Sequence, residues 1–308
     1  MNRRGSNARE RGFAMLSVLW AVVIVSTLVL ATTIAGRDAF DAGRNRANVS
    51  RAYWSANDCA ERARLVIDNA LARTDVPPER AWRDLDAIVH ADPLAAGSAC
   101  ETTLEATGTR LDVNAASPEE LARLFTALGR QDAFLLVDAV EDWRDADDDV
   151  LPNGAEAAWY AAAHRPSPRN APFMDDAEVS RVRGLEDGAT QRYLTVEPGP
   201  ICIPTASAPV LLSLPGVTDE MASAIIAMRA QGQQIEDLAA FSYSLSSAAR
   251  DSLLTHFQEI SRRTTLNPEA WIVTASARSG YPAVEARVEL RLLRTNRRAV
   301  VVRRRVRQ

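Results

Sequence analysis

The stretch GFAMLSVLWAVVIVSTLVLATTIA, residues 12–35, decides how the rest of the chain is organised. From Phe13 to Ala35 it holds no charged residue. At about 1.5 Å per helical residue, the run just spans the roughly 30 Å hydrocarbon core of a bilayer. Arg3, Arg4, Arg9 and Arg11 precede it against one acid, Glu10. Positive charge stays on the cytoplasmic side, so the residues beyond 35 are expected across the membrane. An ordinary signal anchor and a cleaved secretory signal are the plain alternatives. Gly36-Arg37-Asp38 follows at once with no small-x-small site, which argues against cleavage behind the run.

Outward from the membrane stretch the helical period continues. Phe40, Ala47, Tyr53-Trp54, Ala60, Ala63, Ile67 and Ala70-Leu71 recur at three- and four-residue spacing with Arg and Asp between them. Pro77-Pro78 is the first stop. One helix of about sixty residues is predicted, roughly 90 Å long. Its first half is apolar all round and its second half amphipathic. The seam is not a sustained heptad, so a face laid on a small sheet explains it better than a coiled coil.

The strand signals sit mostly at the far end of the chain. Trp271-Ile272-Val273 opens one strand, and Ser279-Gly280-Tyr281-Pro282 supplies turn chemistry. Val284, Ala286, Val288, Leu290 and Leu292 alternate with Glu285, Arg287, Glu289 and Arg291, as in a half-buried strand. Thr295-Asn296-Arg297 turns the chain into Val300-Val301-Val302. Residues 100–113 are expected to pair with this meander from across a long sequence gap. The nine arginines between Arg287 and Gln308 resemble a nucleic-acid patch, but their alternation with apolar residues fits a solvated sheet face better.

Between stem and sheet lies an insertion with an internal echo. Leu111-Asp112-Val113-Asn114-Ala115-Ala116-Ser117-Pro118 is followed ninety residues later by Ile201-Cys202-Ile203-Pro204-Thr205-Ala206-Ser207-Ala208. Each predicts a short strand leading into a helix, and Ser117 with Glu120 has the spacing of a capping box. Leu214-Pro215-Gly216-Val217-Thr218 then has a helix-hairpin-helix pattern, whose glycine loop can meet a DNA phosphate. Asp219, Glu220, Glu236 and Asp237 surround it with only Arg229 as a cation, so a helical packing unit is the better reading.

One constellation carries chemistry. Asp142, Asp145, Asp147, Asp148, Asp149 and Glu156 lie close together with Arg144 as the nearby cation. Counting Asp145 as position 1 puts Asp147 at 3, Asp149 at 5 and Glu156 at 12, the ligand spacing of a twelve-residue calcium loop. Position 6 is Val150 rather than Gly, and Pro152 intervenes, so a regular EF-hand is excluded. A solvated acidic loop is the plain alternative, against which stands the repulsion of so many like charges. Asn170 and Glu178 are further candidates to close such a site. For catalysis there is little: His90, His164 and His256 stand far apart, and no nucleophile elbow or phosphate loop occurs. No enzyme is expected.

The 308-residue chain has 47% apolar and 25% charged residues, ordinary for a globular protein of two or three units. All 36 basic residues are Arg, and the net charge of −4 joins an acidic middle to a basic end. Three cysteines, Cys59, Cys100 and Cys202, allow one disulfide in an oxidising compartment.

Together these motifs resemble the K-type minor pseudopilins of the bacterial type II secretion system, over nearly the whole length. Gly12-Phe13 ahead of the apolar run is similar to a type IV prepilin peptidase site, cut after Gly12 to leave Phe13 as a methylated N-terminus. Leu111-Asp112-Val113-Asn114, Asp142-Trp143-Arg144-Asp145-Ala146-Asp147, Gly154-Ala155-Glu156, Asn170-Ala171-Pro172-Phe173 and Leu214-Pro215-Gly216 carry the rest of the resemblance. The fifth residue after the cut is Ser17, where most pilin-like subunits have Glu; a carboxylate in lipid is costly without a partner, and the K family lacks it.

The resemblance implies an α+β, type IV pilin-like fold, a long N-terminal helix packed on a small antiparallel sheet, with a large, mostly helical domain inserted. The expected divisions are 1–12, leader; 13–35, transmembrane helix; 36–110, stem and first part of the pilin-like domain; 111–265, insertion; 266–308, strands completing the sheet. It implies calcium in the insertion, at Asp142, Asp145, Asp147, Asp149 and Glu156. It also implies a single-pass protein of a Gram-negative inner membrane with its bulk in the periplasm. Its partners would be I- and J-type minor pseudopilins at a pseudopilus tip, other pseudopilins, the prepilin peptidase, the inner-membrane platform and membrane lipid, with no nucleic acid. The rival is a membrane-tethered DNA-binding protein using the Leu214–Thr218 hairpin. Cys100 and Cys202 flank the first half of the insertion and are expected to pair, leaving Cys59 free.

Overall fold

The computed structural model describes residues 7–92 and 100–307, and of residues 7–14 the backbone only. Helix α1 (Asn7–Ala72) takes up 66 residues, about 100 Å at 1.5 Å per residue. No proline interrupts it, and Pro77-Pro78 follows its end. Its side chains are exposed from Met15 to Ala47. Beyond that, Ala52, Ala56, Ala60, Ala63, Ile67 and Leu71 turn inward and are buried. The small alanines let the helix lie close to the layer beneath it. Two short helices follow, α2 (Pro78–Arg83), with proline at its first position, and α3 (Leu85–Ala91).

Strand β1 (Glu101–Ala106) leads into the insertion. Its first half contains β2 (Leu111–Asp112), α4 (Pro118–Ala127), α5 (Ala133–Arg144), α6 (Ala157–Ala162), α7 (Asp176–Val179) and β3 (Leu194–Thr195). Its second half contains β4 (Ile201–Cys202), α8 (Ala208–Leu212), α9 (Asp219–Ala230), α10 (Leu238–Ser242), α11 (Ser247–Thr255), α12 (Phe257–Arg263) and β5 (Thr264–Thr265). The chain then returns through β6 (Ala270–Ser279), β7 (Val284–Thr295) and β8 (Arg298–Arg307).

These last strands and β1 form an antiparallel four-stranded sheet in the order β1-β6-β7-β8. Leu104 lies opposite Val273, and Val273 opposite Leu290. On β7, Ala286, Val288, Leu290 and Leu292 are buried toward α1, as the alternation requires. Two tryptophans lock helix to sheet reciprocally. Trp82 Nε1 donates to the Pro268 carbonyl at 2.7 Å, and Trp271 Nε1 to the Trp82 carbonyl at 2.8 Å. A second, separate hydrophobic cluster runs from Leu111 to Ile260 inside the insertion.

Three sequence-based expectations need correction. Residues 100–113 are not one strand: Gly108, at φ +81°, turns the chain between β1 and β2, and a Cβ there would stand 2.1 Å from the Pro200 carbonyl oxygen. Leu111-Asp112 pairs instead with Leu194-Thr195, in parallel. The expected Cys100–Cys202 bridge does not form, because Cys100 is joined to Cys59 with their Cα atoms 6.5 Å apart. Cys59 lies on the buried face of α1 beside β1, which Cys100 immediately precedes, whereas Cys202 is a free, buried thiol in β4. Finally, the arginines of β7 and β8 are not simply solvated. Arg291, Arg303 and Arg305 converge on Glu197 of the insertion, which is 6% exposed.

Candidate metal centre

The two halves of the insertion repeat one local architecture. In the first, Val113 N–H donates to the Thr195 carbonyl at 2.8 Å; in the second, Ile203 N–H donates to the Thr265 carbonyl at 2.9 Å. Asp112 and Cys202 carbonyls then accept from Ala116 and Ala206 at 2.9 and 2.8 Å, and a helix follows. Ser117 Oγ accepts from Glu120 N–H while Glu120 accepts from Ser117 N–H, so the first helix has its full capping box. An arginine closes each unit. Arg144 donates to the Val113 and Ala116 carbonyls, and Arg229 to those of Ile203 and Ala206.

The acidic segment grows out of α5 in the first half. Asp142 is fully buried, and Leu151 N–H reaches its Oδ1 at 3.2 Å. Gly154 is required beside it: a Cβ there would sit 2.0 Å from Asp142 Oδ2. Asp145 caps the helix C-terminus, with its Oδ1 buried and without a hydrogen bond. Glu156, 6% exposed, has no hydrogen-bond partner on either carboxylate oxygen. Burial, and then the charges of Asp142 and Asp145, push its carboxyl up to about 7. Burial also raises Asp142 and Asp145 above the ordinary carboxylate range.

Of the remaining predicted ligands, Asp147 lies near enough for its charge to help raise Asp145. Asp147 and Asp149 are exposed, the Asp149 N–H donating to Asp147 Oδ1 at 2.9 Å. Asn170, in a left-handed conformation, ties the loop from outside through its Nδ2, 2.6 Å from the Asp147 carbonyl and 2.8 Å from Asp148 Oδ1. Glu178 accepts from Met174 N–H at 2.7 Å and pairs with Arg169 at 3.5 Å. Among the described residues, no group of three or more His, Cys, Asp or Glu side chains converges in a form that holds a metal ion. The orphaned oxygens of Glu156 and Asp145 are nonetheless hard, anionic and buried, the donor chemistry that suits calcium.

Several supporting contacts were not indicated by the acidic spacing. Asp138 accepts from both the backbone and the side chain of Asn153, at 3.0 and 2.9 Å, bracing the end of the acidic loop. Trp143 stacks on Phe173 with centroids 6.1 Å apart and meets Tyr160 edge-on at 5.3 Å. Asn114 and Phe173 exchange two hydrogen bonds, of 3.0 and 2.8 Å, which joins two motifs 59 residues apart. In the Leu214–Thr218 hairpin, Gly216 has φ +79° and is covered by His256, with its carbonyl accepting from Ser252. Gly12 and Phe13 fall in the part of α1 where only the backbone is described, and residues 1–6 of the expected leader lie outside the described residues. Ser17 is exposed on α1.

Within the described residues, α1 is the one helix long and apolar enough to cross a membrane, by length and composition. A long N-terminal helix that fits a single-pass membrane anchor, a small antiparallel sheet against its distal half and a helical insertion define the class: a pilin-like fold. Residues 84–197 match the family model described as type II secretion system, protein K. The fold is similar to a chain in the crystal structure of the GspK-GspI-GspJ complex from the enterotoxigenic Escherichia coli type 2 secretion system. That likeness has a TM-score of 0.60 at 16% identity, covering 86% of this chain and 99% of the other. No match was found among curated protein sequences. Over residues 84–197 the chain thus resembles protein K of the type II secretion system, and over 86% of its length it shares the fold of a chain in that complex.

Proposed function

We propose that this protein is a minor pseudopilin of the type II secretion system, which forms the tip of a periplasmic pseudopilus together with I- and J-type minor pseudopilins and so supports protein export across the outer membrane. The observation that carries the reading is a pilin-like body with a helical insertion of its own hydrophobic core. Over 86% of its length its fold is similar to a chain of a complex of GspK, GspI and GspJ. A mass of that size on the distal half of the stem would block stacking of a further subunit above it. The anchor would sit in the inner membrane with its N-terminus cytoplasmic, be cut after Gly12 by a prepilin peptidase and be methylated on Phe13. Assembly would also engage other pseudopilins and the inner-membrane platform. The role is structural rather than catalytic.

The acidic segment serves, on this reading, as a calcium site that fixes the first half of the insertion. Asp142, Asp145 and Glu156 would hold the ion, with Asp147 and Asp149 recruited from the exposed loop and Asn170 bracing it; Glu178 has local partners instead. Calcium would supply the counter-charge that the buried carboxylates lack.

Two experiments test these readings. Intact mass of the protein from its native membrane should correspond to a chain beginning at methylated Phe13; a chain beginning at Met1 would remove the pseudopilin processing. Removing the protein from its host should block release of the substrates of that system, and unimpaired release would overturn the export role.

A further inference from the structure

The duplication within the insertion shows what its second half lacks. Arg144 and Arg229 occupy matching places, each holding two carbonyls at the start of its repeat. Arg144 is neutralised by Glu141 one helical turn earlier, which accepts from its Nε at 3.3 Å. The residue three before Arg229 is Ile226, and no carboxylate pairs with Arg229 among the described residues. Its Nε is buried without an acceptor, and burial lowers the pKa of its guanidinium.

Arg229 lines a cavity of about 360 Å³ between the insertion and the pilin-like body. Ile203, Ile225 and Ile235 give this cavity apolar walls, and Arg83 of α2 closes it from the other body. Arg83 Nε is likewise buried without an acceptor. The acid on the wall, Asp84, accepts from Gln234 at 3.5 Å, so the lining sets two arginines against one carboxylate. An apolar recess with a few polar groups of one excess sign is the usual form of a specific binding pocket.

We propose that this cavity docks a partner polypeptide through an acidic side chain placed beside an aliphatic one, the carboxylate taking toward Arg229 the part that Glu141 plays toward Arg144. Charge complementarity selects the acid: two arginines line the cavity against one carboxylate, which favours a docked carboxylate over any neutral group. The three isoleucines select the aliphatic neighbour.

The test is calorimetric titration of the full-length protein in detergent with acetyl-Glu-Leu-amide, acetyl-Gln-Leu-amide and sodium acetate. The Glu probe is expected to bind at least about tenfold more tightly than the Gln probe, as loss of one charge-assisted contact implies. It should also bind more tightly than acetate, and the Glu-over-Gln preference should vanish in R229M. Where R229M does not fold, R83M on the opposite wall should reduce the preference. Equal binding of the two peptides, no binding of either, acetate matching the Glu probe, or a preference that survives R229M would each overturn the proposal.

Discussion

Replacing Cys59 by serine opens a covalent loop whose ends are 41 residues apart in sequence. The bridge ties the buried face of α1 to the start of β1, and the intervening segment includes α2 and α3. Loop-closure entropy for a ring of that size corresponds to about 4 kcal/mol at 25 °C, taking the disulfide to act by restricting the unfolded chain. The pilin-like body has its own hydrophobic cluster, so the loss should fall on it rather than on the insertion. For a unit of about 100 residues, each kcal/mol moves the midpoint by roughly 4–8 °C, so a fall of more than about 10 °C is expected. The assay is thermal unfolding of the detergent-solubilised full chain, with wild type, C59S and C202S compared with and without reductant. Wild type under reductant should reproduce C59S, while C202S should keep its response to reductant. A C202S protein that no longer responds to reductant, beside a C59S protein that still does, would show that the bridge is misassigned.

Other outcomes follow from the acidic segment and the buried thiol. In metal-free protein, the Glu156 carboxyl, raised from 4.5 to about 7, contributes stability fully present below its ordinary value and lost as pH rises through about 7. The loss approaches about 3 kcal/mol, so the midpoint should fall between pH 4.5 and 7.5; E156Q should flatten that slope, and calcium should oppose it. A midpoint at pH 7.5 that does not respond to calcium or chelator would remove the calcium site. Gly154→Ala should cost about 2–4 kcal/mol by forcing Asp142 out of its pocket, read by chemical denaturation; a cost below about 0.5 kcal/mol would show the close approach to be relaxed at no expense. Cys202, pushed up to about 11 by burial, should resist alkylation at pH 8 until the protein is unfolded. Rapid labelling of the native protein would show that β4 opens readily.

Much of the architecture was legible because its signals are local. The apolar run and the unbroken 3.6-residue period forecast α1, and the alternation on Val284–Leu292 forecast the central part of the sheet. The capping residues Ser117 and Glu120 likewise carry their structure in sequence spacing alone. What escaped depends on long-range approach. Nothing around Cys59 reveals that it faces the start of β1, which became its neighbour only once β1 joined a sheet completed some 170 residues later. Gly108 lay inside the strand expected over residues 100–113, and its need to admit the Pro200 carbonyl was invisible. The acidic spacing pointed to Glu156, but not to its burial while Asp147 and Asp149 stay exposed. The Asn114–Phe173 exchange lay in two motifs already singled out, yet no pattern linked them.

The most direct measurement is co-purification of the full-length protein with the I- and J-type minor pseudopilins of its own system from detergent-solubilised membranes. A ternary complex that requires this subunit is the expected result. Recovery of the I and J subunits together without this protein, under conditions where it is folded and present, would contradict its place at the tip.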